Sequence, residues 1–302
     1  MQWKKYKISP DSFRELNQVN RFLSWSHFLV RVLALFLPLL GIYYFGAGQF
    51  IITGVLLIAF GMQLKFMGWA GYGHELFHGK VFRSKNFNRF LFILFSALNW
   101  KNFGFFDVFH PIHHRNTLQT GGDLEGYPSR RRADISITNR LASCTFNLPR
   151  AAADIKILIF NATGKIVTEP AYMHPLTEMQ IKKIVSGARV TSILLIITTI
   201  VLMNVFGITV GTCIIFSPYI CTFFNDRLAL LQHKDGVWDV DDFNLNTNTL
   251  ILNPLISFLY ANMNYHKEHH MYPSIPYYNL PKLRQEILQL HPIKSGLEKK
   301  AI

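Results

Sequence analysis

Two apolar runs that follow each other almost without interruption constrain this chain more than any other feature of its sequence. Residues 28–48 and 50–70 each hold about 21 residues, enough for an α-helix to cross the ~30 Å hydrocarbon core of a bilayer. A second, shorter pair follows at residues 190–206 and 208–224. With 50% hydrophobic residues, the chain is too apolar for an ordinary soluble enzyme. We therefore predict two transmembrane hairpins.

The distribution of basic residues predicts the orientation of these hairpins. Their tips, residues 45–50 and 204–211, carry no charged side chain, whereas Lys and Arg occur in all the remaining connections. By the positive-inside rule, both termini and the long middle segment lie in the cytoplasm. The predicted cytoplasmic parts are residues 1–27, 71–189 and 225–302.

The same rule accounts for much of the net charge of +13. The run Arg130, Arg131 and Arg132 is accordingly interpreted as a membrane-surface anchor, and no nucleic-acid partner is expected. The cysteines Cys144, Cys213 and Cys221 form no CxxC pair, so neither a disulfide framework nor a thiolate metal site is predicted.

The remaining apolar stretches favour a helical cap rather than further spans. Residues 90–109 are interrupted by polar side chains, and residues 251–265 are short and contain a proline. Both are expected to lie in the membrane interface or beneath it. No repeat or linker divides the chain, so one domain is predicted over residues 1–302. The predicted fold class is an all-α integral membrane protein with four transmembrane helices in two hairpins and a helical cytoplasmic cap.

A short motif after the second apolar run raises the question of a peptidase. His74-Glu75-x-x-His78 fits the HExxH pattern of zinc proteases, in which two imidazoles one helical turn apart bind the metal and the glutamate is the general base. An isolated match to so short a pattern is weak support, because helices carry it by accident. The other histidines decide how it is interpreted.

Two HxxHH segments and a further histidine favour a larger metal site. Residues at i, i+3 and i+4 share one side of a helix, so each segment can offer two or three imidazoles to one place. A single zinc needs three or four protein ligands, whereas nine imidazoles match two metal ions with four or five ligands each. The predicted metal ligands of this dimetal site are His74, His78, His110, His113, His114, His233, His266, His269 and His270. The other histidines, His27, His174 and His291, are interpreted as ordinary core or surface residues.

The predicted spans bring these histidines to one depth. A continuous helix from Phe50 to His78 would carry His74 and His78 one to three turns beyond the lipid on the cytoplasmic side. His233 stands similarly past the end of the fourth span.

The order of these motifs resembles the membrane fatty acid desaturase and hydroxylase superfamily over most of the chain. His110-Pro-Ile-His-His-Arg-Asn-Thr, with Gly122-Asp123 behind it, resembles the second histidine box of that superfamily. The segment from Asn264 to Lys282 resembles the third box of acyl desaturases with its proline-rich tail, and Leu231-Gln-His233 resembles their extra histidine. The resemblance implies that the nine histidines bind two iron ions, with O2 as co-substrate. Glu75 departs from the aspartate of many desaturases and matches alkane hydroxylases.

The reaction that the resemblance implies is desaturation of an acyl chain of a lipid or thioester. A diiron hydroxylase of a fatty acid, alkane or specialised metabolite is the alternative, and a zinc membrane protease is a distant third. The sequence contains no haem-binding His-Pro-Gly-Gly, no cysteine set for an iron–sulfur cluster and no GxGxxG. An external electron donor of the ferredoxin, rubredoxin or cytochrome b5 type is therefore expected at the basic cytoplasmic face.

Two groups of side chains are expected to support this site. Aromatic residues of the 90–109 stretch and of residues 69–72 could line an apolar substrate path. Metal-bound histidines commonly donate their second N–H to a carboxylate. The candidate carboxylates are Glu75, Asp123, Glu125, Asp235, Asp239 and Glu268.

Overall fold

The computed structural model describes residues 3–46, 48–126, 137–167, 173–291 and 299–300. Within these ranges the chain is almost wholly helical. The only strands there are β1 (Leu250–Ile251) and β2 (Lys299–Lys300), which pair in parallel over two residues each. The predicted all-helical class is confirmed. The run of Arg130, Arg131 and Arg132 lies outside the described residues.

The helices follow one another with short connections. In chain order they are α1 (Pro10–Leu16), α2 (Arg21–Phe45), α3 (Phe50–Phe66), α4 (Tyr72–His78), α5 (Lys85–Leu98), α6 (Phe103–Arg115), α7 (Ile137–Cys144), α8 (Leu148–Ala162), α9 (Glu178–Phe206), α10 (Ile208–Phe216), α11 (Phe223–Leu231), α12 (Phe243–Asn246), α13 (Pro254–Leu259), α14 (His266–Met271) and α15 (Leu280–Leu290). Single 3₁₀ turns lie at Ser217–Tyr219, Met263–Tyr265 and Tyr277–Asn279.

Two apolar hairpins are present where the sequence predicts them. Helix α2 packs along α3, and α9 packs along α10. Both long helices begin at polar caps: the Asn20 side chain accepts from the backbone N–H of Leu23, and Thr177 and Gln180 form a reciprocal capping box. Their outer faces expose large apolar side chains, among them Phe36 and Ile196, each 59% exposed. Such faces are typical of contact with lipid.

Only two of the described helices are both long and apolar enough to cross a bilayer, α2 with 25 residues and α9 with 29. Their partners are apolar but shorter. Helix α3 has 17 residues, and α10 has nine before the 3₁₀ turn at Pro218. These two helices are the candidate membrane spans among the described residues. Passage of all four helices through the bilayer stays a prediction.

The predicted continuous helix from Phe50 to His78 is wrong. Helix α3 ends at Phe66, and a tight turn separates it from α4. In this turn the N–H of Gly73 donates to the carbonyl of Gly68 at 3.0 Å. A Cβ atom on Gly73 would stand 2.8 Å from the carbonyl oxygens of Met67 and Gly68, so only glycine fits this close approach. The turn redirects the first histidine box from the membrane hairpin into the cap.

The apolar stretch at residues 90–109 forms two helices instead of one. Helix α5 ends at Leu98, Trp100 adopts a left-handed backbone with φ 59°, and α6 begins at Phe103. The Asn102 side chain accepts from the N–H of Gly104 and caps α6. This break allows α6, which carries the second histidine box, to take its own direction. The stretch at residues 251–265 likewise yields only the short helix α13 and a 3₁₀ turn.

Helix α6 lies against α9 at a glycine crossing. A Cβ on Gly104 would collide with the carbonyl of Lys183, and a Cβ on Gly187 would stand 2.6 Å from the N of Gly104. The Asn102 amide adds a hydrogen bond to the carbonyl of Ile184 at 3.0 Å. The second histidine box is therefore held directly against one of the two longest apolar helices.

Candidate metal centre

Three helices and one loop bring all nine predicted histidines together. Helix α4 supplies His74 and His78, α6 and α14 supply the two HxxHH segments, and His233 follows α11. They form two groups, each with ligand atoms within 4.8 Å of one another. The five-histidine group is His74, His78, His110, His114 and His269. The four-histidine group is His113, His233, His266 and His270.

Each HxxHH segment divides its histidines between the two groups. On α6, His110 and His114 face the five-histidine group, while His113 faces the four-histidine group. On α14 the arrangement is reversed, because His266 and His270 face the four-histidine group and His269 faces the other. In each segment the histidines at i and i+4 thus belong to one group, and the histidine at i+3 belongs to the neighbouring group. The prediction that each segment can bring two or three imidazoles to one place therefore holds for two of them, while the third links the segment to the other group.

The two groups are immediate neighbours. The rings of His114 and His270, one from each group, stack at 4.4 Å between centroids. The rings of His266 and His269 stack at 6.0 Å. Nine convergent imidazoles therefore form one centre with two adjoining ligand sets.

The separations between the ring nitrogens match those of ligands around a common ion. Nε2 of His110 lies 3.1 Å from Nε2 of His78 and 3.0 Å from that of His114. In the other group, Nε2 of His266 lies 3.0 Å from that of His233 and 3.1 Å from that of His270. Two nitrogens that are each about 2.1 Å from one ion are about 3.0 Å apart at a right angle and about 3.4 Å at a tetrahedral angle.

Hydrogen bonds of the four-histidine group indicate that the Nε2 atoms of His233 and His270 are unprotonated. Nδ1 of His233 lies 3.0 Å from the carbonyl of Asn246, which can only accept, so this nitrogen carries the proton. The Thr117 hydroxyl donates to the carbonyl of His113 at 2.7 Å and therefore accepts from Nδ1 of His270 at 3.2 Å. Both Nε2 atoms then present lone pairs to His266. These lone pairs are available to a metal ion as well as to a proton on Nε2 of His266.

Burial keeps most of the imidazoles neutral and available as ligands. It lowers the pKa of His74, His78, His110, His114, His266, His269 and His270 well below the ordinary value of 6.5, and the neighbouring histidines lower it further. Burial and His113 also lower the pKa of His233 to about 4. His113 differs: burial has the largest single effect and lowers its pKa, but the carboxylates of Asp123 and Glu125 together outweigh burial, so that the pKa is raised.

Three of the six candidate carboxylates contact the outer nitrogens of the histidines. Both Asp123 oxygens lie 2.9 Å from Nδ1 of His113, and Oε2 of Glu125 lies 2.9 Å from Nδ1 of His110. Oε1 of Glu75 lies 3.1 Å from Nδ1 of His74 and 3.3 Å from Nδ1 of His269. Such contacts fix the ring orientation and raise the basicity of the nitrogen that faces the ion.

Glu75 is placed differently from the general base of a zinc protease. A general base must reach a water molecule bound to the ion. The Glu75 carboxylate instead lies on the Nδ1 side of His74, which is the edge of the ring that faces away from the shared point. Burial raises the pKa of Glu75 to about 8. The motif that suggested a peptidase therefore supplies a residue that orients ligands.

The other candidate carboxylates have different partners. Glu268 accepts from Arg284 at 3.0 Å and from Thr249 at 2.8 Å. Asp239 accepts from the backbone and hydroxyl of Thr120 at 2.7 and 2.8 Å. These contacts tie α14 to α15 and fix the loop behind α6.

Sequence reasoning missed Thr117 and Asn246 as supports of the histidines. Thr117 lies four residues after His113 and just past the end of α6, so its spacing from His113 could have indicated it. Asn246 acts through its backbone carbonyl, for which the sequence holds no signal. The histidines set aside at the sequence level, His27, His174 and His291, belong to neither group.

An aromatic wall borders the five-histidine group, as expected for the 90–109 stretch and for Trp69. Phe106 stacks on His110 with centroids 4.3 Å apart and contacts Trp69 at 4.7 Å. Phe77 packs edge-on against His78 and His110 at 5.4 and 5.3 Å.

The residues fit a pair of transition-metal ions. Nε2 of His74 is buried and makes no hydrogen bond within the described part of the chain, although it points among four other imidazoles. A buried nitrogen of this kind lacks a partner unless an ion is bound. Neutral imidazole suits iron, zinc and copper, and a set of five and four nitrogens exceeds the needs of one ion. The assignment of the nine side chains as ligands stays a prediction.

The described residues define a class of helical protein with two apolar hairpins and a centre of nine convergent histidines. The sequence profile of the fatty acid desaturase family matches residues 49–294, and the chain belongs to that family. The predicted membership in the membrane desaturase and hydroxylase superfamily is thereby confirmed. No protein in a search of curated sequences matches the chain significantly.

Proposed function

We propose that this protein is a membrane diiron oxidoreductase that uses O2 and two external electrons to desaturate an acyl chain. The observation that carries the proposal is the division of nine convergent imidazoles into adjoining groups of five and four in a member of the fatty acid desaturase family. When bound, two iron ions would supply the oxidising power that removes hydrogen from an unactivated C–H bond.

The protein residues supply position and exclusion of water. Glu75, Asp123 and Glu125 hold the rings of His74, His113 and His110 in fixed orientations. Phe77 and Phe106 form an apolar surface beside the five-histidine group, against which a methylene chain can lie without losing hydrogen bonds to water. The carboxylates and apolar rings together keep the reacting carbon close to the centre.

The proposed topology places the centre beneath the membrane on the cytoplasmic side. Both hairpins cross the bilayer in this proposal, the shorter helices α3 and α10 being completed by the turns that follow them. The absence of charged residues at the hairpin tips supports cytoplasmic termini. An acyl lipid can then reach the aromatic wall from the cytoplasmic leaflet, and a soluble electron donor can reach the opposite face of the cap.

The experiment is mass spectrometry of lipid extracts from cells that produce the wild-type protein, with the His270→Ala variant as control. A species lighter by two hydrogens, absent from the control, is the expected result. A species heavier by one oxygen would assign the protein as a hydroxylase instead. Peptide cleavage that His270→Ala retains and Glu75→Gln abolishes would contradict the proposal and restore the zinc protease.

A further inference from the structure

The N-terminal segment Trp3–Ile8 lies directly over the metal centre. The indole Nε1 of Trp3 donates to the carbonyl of Arg115 at 2.9 Å, at the end of the helix that carries the second histidine box. The N–H of Lys4 donates to the carbonyl of Asp241 at 2.8 Å, and the Lys5 ammonium donates to the carbonyl of Met271 at 3.2 Å. The segment precedes the residues matched by the family profile, which begin at residue 49.

Two aromatic rings connect this segment to a histidine of the four-histidine group. The Trp3 ring stacks on Phe243 with centroids 4.5 Å apart and an interplanar angle of 14°. Phe243 is buried, and its ring lies 5.6 Å from that of His270. Trp3 is itself partly exposed. The probability of electron tunnelling falls steeply with distance. A series of ring contacts from the protein surface to a predicted metal ligand therefore shortens the gap that an electron must cross.

The exposed charged side chains around Trp3 are mainly basic. Lys4, Lys5, Lys7 and Arg115 are exposed. Lys4 is 77% exposed, and its ion pair with the half-buried Asp242 spans 3.4 Å. The exposed acidic residues Asp11 and Glu15 follow in α1, where Asp11 pairs with Arg14 at 3.1 Å. The exposed Asp239 accepts from Thr120 through both of its oxygens. A basic rim around a partly exposed tryptophan favours association with an acidic protein surface.

A cavity beside the segment gives this surface a concave region. Its volume is about 350 Å³, and Lys5, Phe13, Met271 and Tyr272 are among its lining residues. Met271 directly follows His270 in the chain, and the Lys5 ammonium lies 4.3 Å from the centroid of the Tyr272 ring. A side chain of a partner that enters this cavity would therefore stand close to the four-histidine group.

We infer that Trp3–Ile8, Arg115 and Phe243 form the docking surface of an acidic one-electron carrier protein, and that Trp3 and Phe243 carry the electron path to His270. This inference rests on the proposed function. Each docking oxidises one carrier and reduces the metal centre by one electron. Two dockings supply the reaction R–CH2–CH2–R′ + O2 + 2 e⁻ + 2 H⁺ → R–CH=CH–R′ + 2 H2O, in which the protons come from solvent.

The first test measures binding and does not depend on turnover. The full-length protein in lipid nanodiscs is titrated with an acidic plant-type [2Fe–2S] ferredoxin at low and high salt. We expect the double variant Lys4→Glu and Lys7→Glu to weaken binding at least tenfold at low salt. The charge-matched control Lys156→Glu and Lys182→Glu, which changes exposed lysines of α8 and α9, should change it less than twofold. Equal affinity in the wild type and the Lys4/Lys7 variant would overturn the inference.

The second test separates the electron path from docking. Reduction of the iron-loaded protein is followed by stopped-flow spectroscopy, once with reduced ferredoxin and once with dithionite and methyl viologen. At saturating ferredoxin, where docking does not limit the rate, Trp3→Leu should slow reduction by ferredoxin at least tenfold without changing reduction by methyl viologen. Trp3→Phe should restore most of the rate, and Trp25→Leu, which alters an exposed tryptophan of α2, should leave it unchanged. A Trp3→Leu rate equal to that of the wild type would overturn the electron path.

Two further outcomes distinguish the possible failures. An anionic lipid surface is the competing occupant of the basic rim, and it would be indicated if phosphatidylglycerol vesicles bound the Lys4/Lys7 surface while ferredoxin did not. That result would overturn the inference. If methyl viologen supports formation of the lipid product in every variant, the proposed function is supported even where the binding tests overturn the docking surface.

Discussion

The two histidine groups differ in how far they are closed from their surroundings. All members of the four-histidine group are buried, whereas His78 and His114 of the five-histidine group are half-buried. The four-histidine group is held by Asp123, a backbone carbonyl and Thr117, while the five-histidine group borders the aromatic wall. This difference agrees with the roles proposed above: the closed group lies beside the docking surface proposed for electrons, and the more open group borders the aromatic wall proposed to receive an acyl chain.

Removal of a ligand from the closed group should have the largest effect. His270→Ala leaves three imidazoles in that group and removes the ring nearest to Phe243. We expect product formation to fall by more than about 100-fold, together with loss of bound metal. Lipid analysis and metal content measure the two effects. His174→Ala is the matched control, since His174 is exposed and outside both groups, and a comparable loss in that variant would contradict the assignment.

Asp123→Asn should have the next largest effect, because Asp123 supports both a ligand and a loop. Besides His113, it accepts from the backbone N–H groups of Leu118, Glu125 and Gly126 at 2.7, 3.0 and 3.0 Å. We expect metal affinity to fall about 10–100-fold and Tm to fall, since charge-assisted bonds become neutral ones. Metal titration and thermal unfolding measure these changes. An unchanged Tm would show that the loop does not depend on the carboxylate.

Glu75→Gln tests the role of a carboxylate beside the more open, five-histidine group. Glu75 contacts two ligands of the five-histidine group and none of its contacts place it at a metal-bound water. We expect a loss of roughly tenfold in activity with the reaction outcome retained. A zinc protease would lose all activity. Product analysis of this variant therefore distinguishes an orienting carboxylate from a general base.

Glu125→Gln should have the smallest effect of the three carboxylate changes. The Glu125 side chain is 28% exposed, so water can replace part of its contact with His110. We expect a loss of about two- to fivefold in activity, with little change in Tm. A loss as large as that of Asp123→Asn would mean that activity depends as strongly on the carboxylate contacts of the five-histidine group as on those of the four-histidine group.

The sequence predicts the convergence of the nine histidines better than the contacts around them. Helical spacing alone brings His110 and His114, or His266 and His270, to one side of a helix, and the structure confirms both pairs. The turn at Gly73 and the break at Trp100 were not predicted, because apolar periodicity continues through both while backbone geometry ends the helices. The partners of Asn246 and Trp3 lie far away in sequence, so no local pattern reports them.

The central claim is that the two histidine groups bind two metal ions in one centre. The most direct test is anaerobic titration of chelator-stripped protein with Fe(II), followed by iron analysis and Mössbauer spectroscopy. Anaerobic loading avoids the zinc that outcompetes Fe(II) for nitrogen ligands during overproduction. We predict two iron ions per chain, magnetically coupled after exposure to O2. A single bound ion, or two ions that remain uncoupled, would contradict the claim.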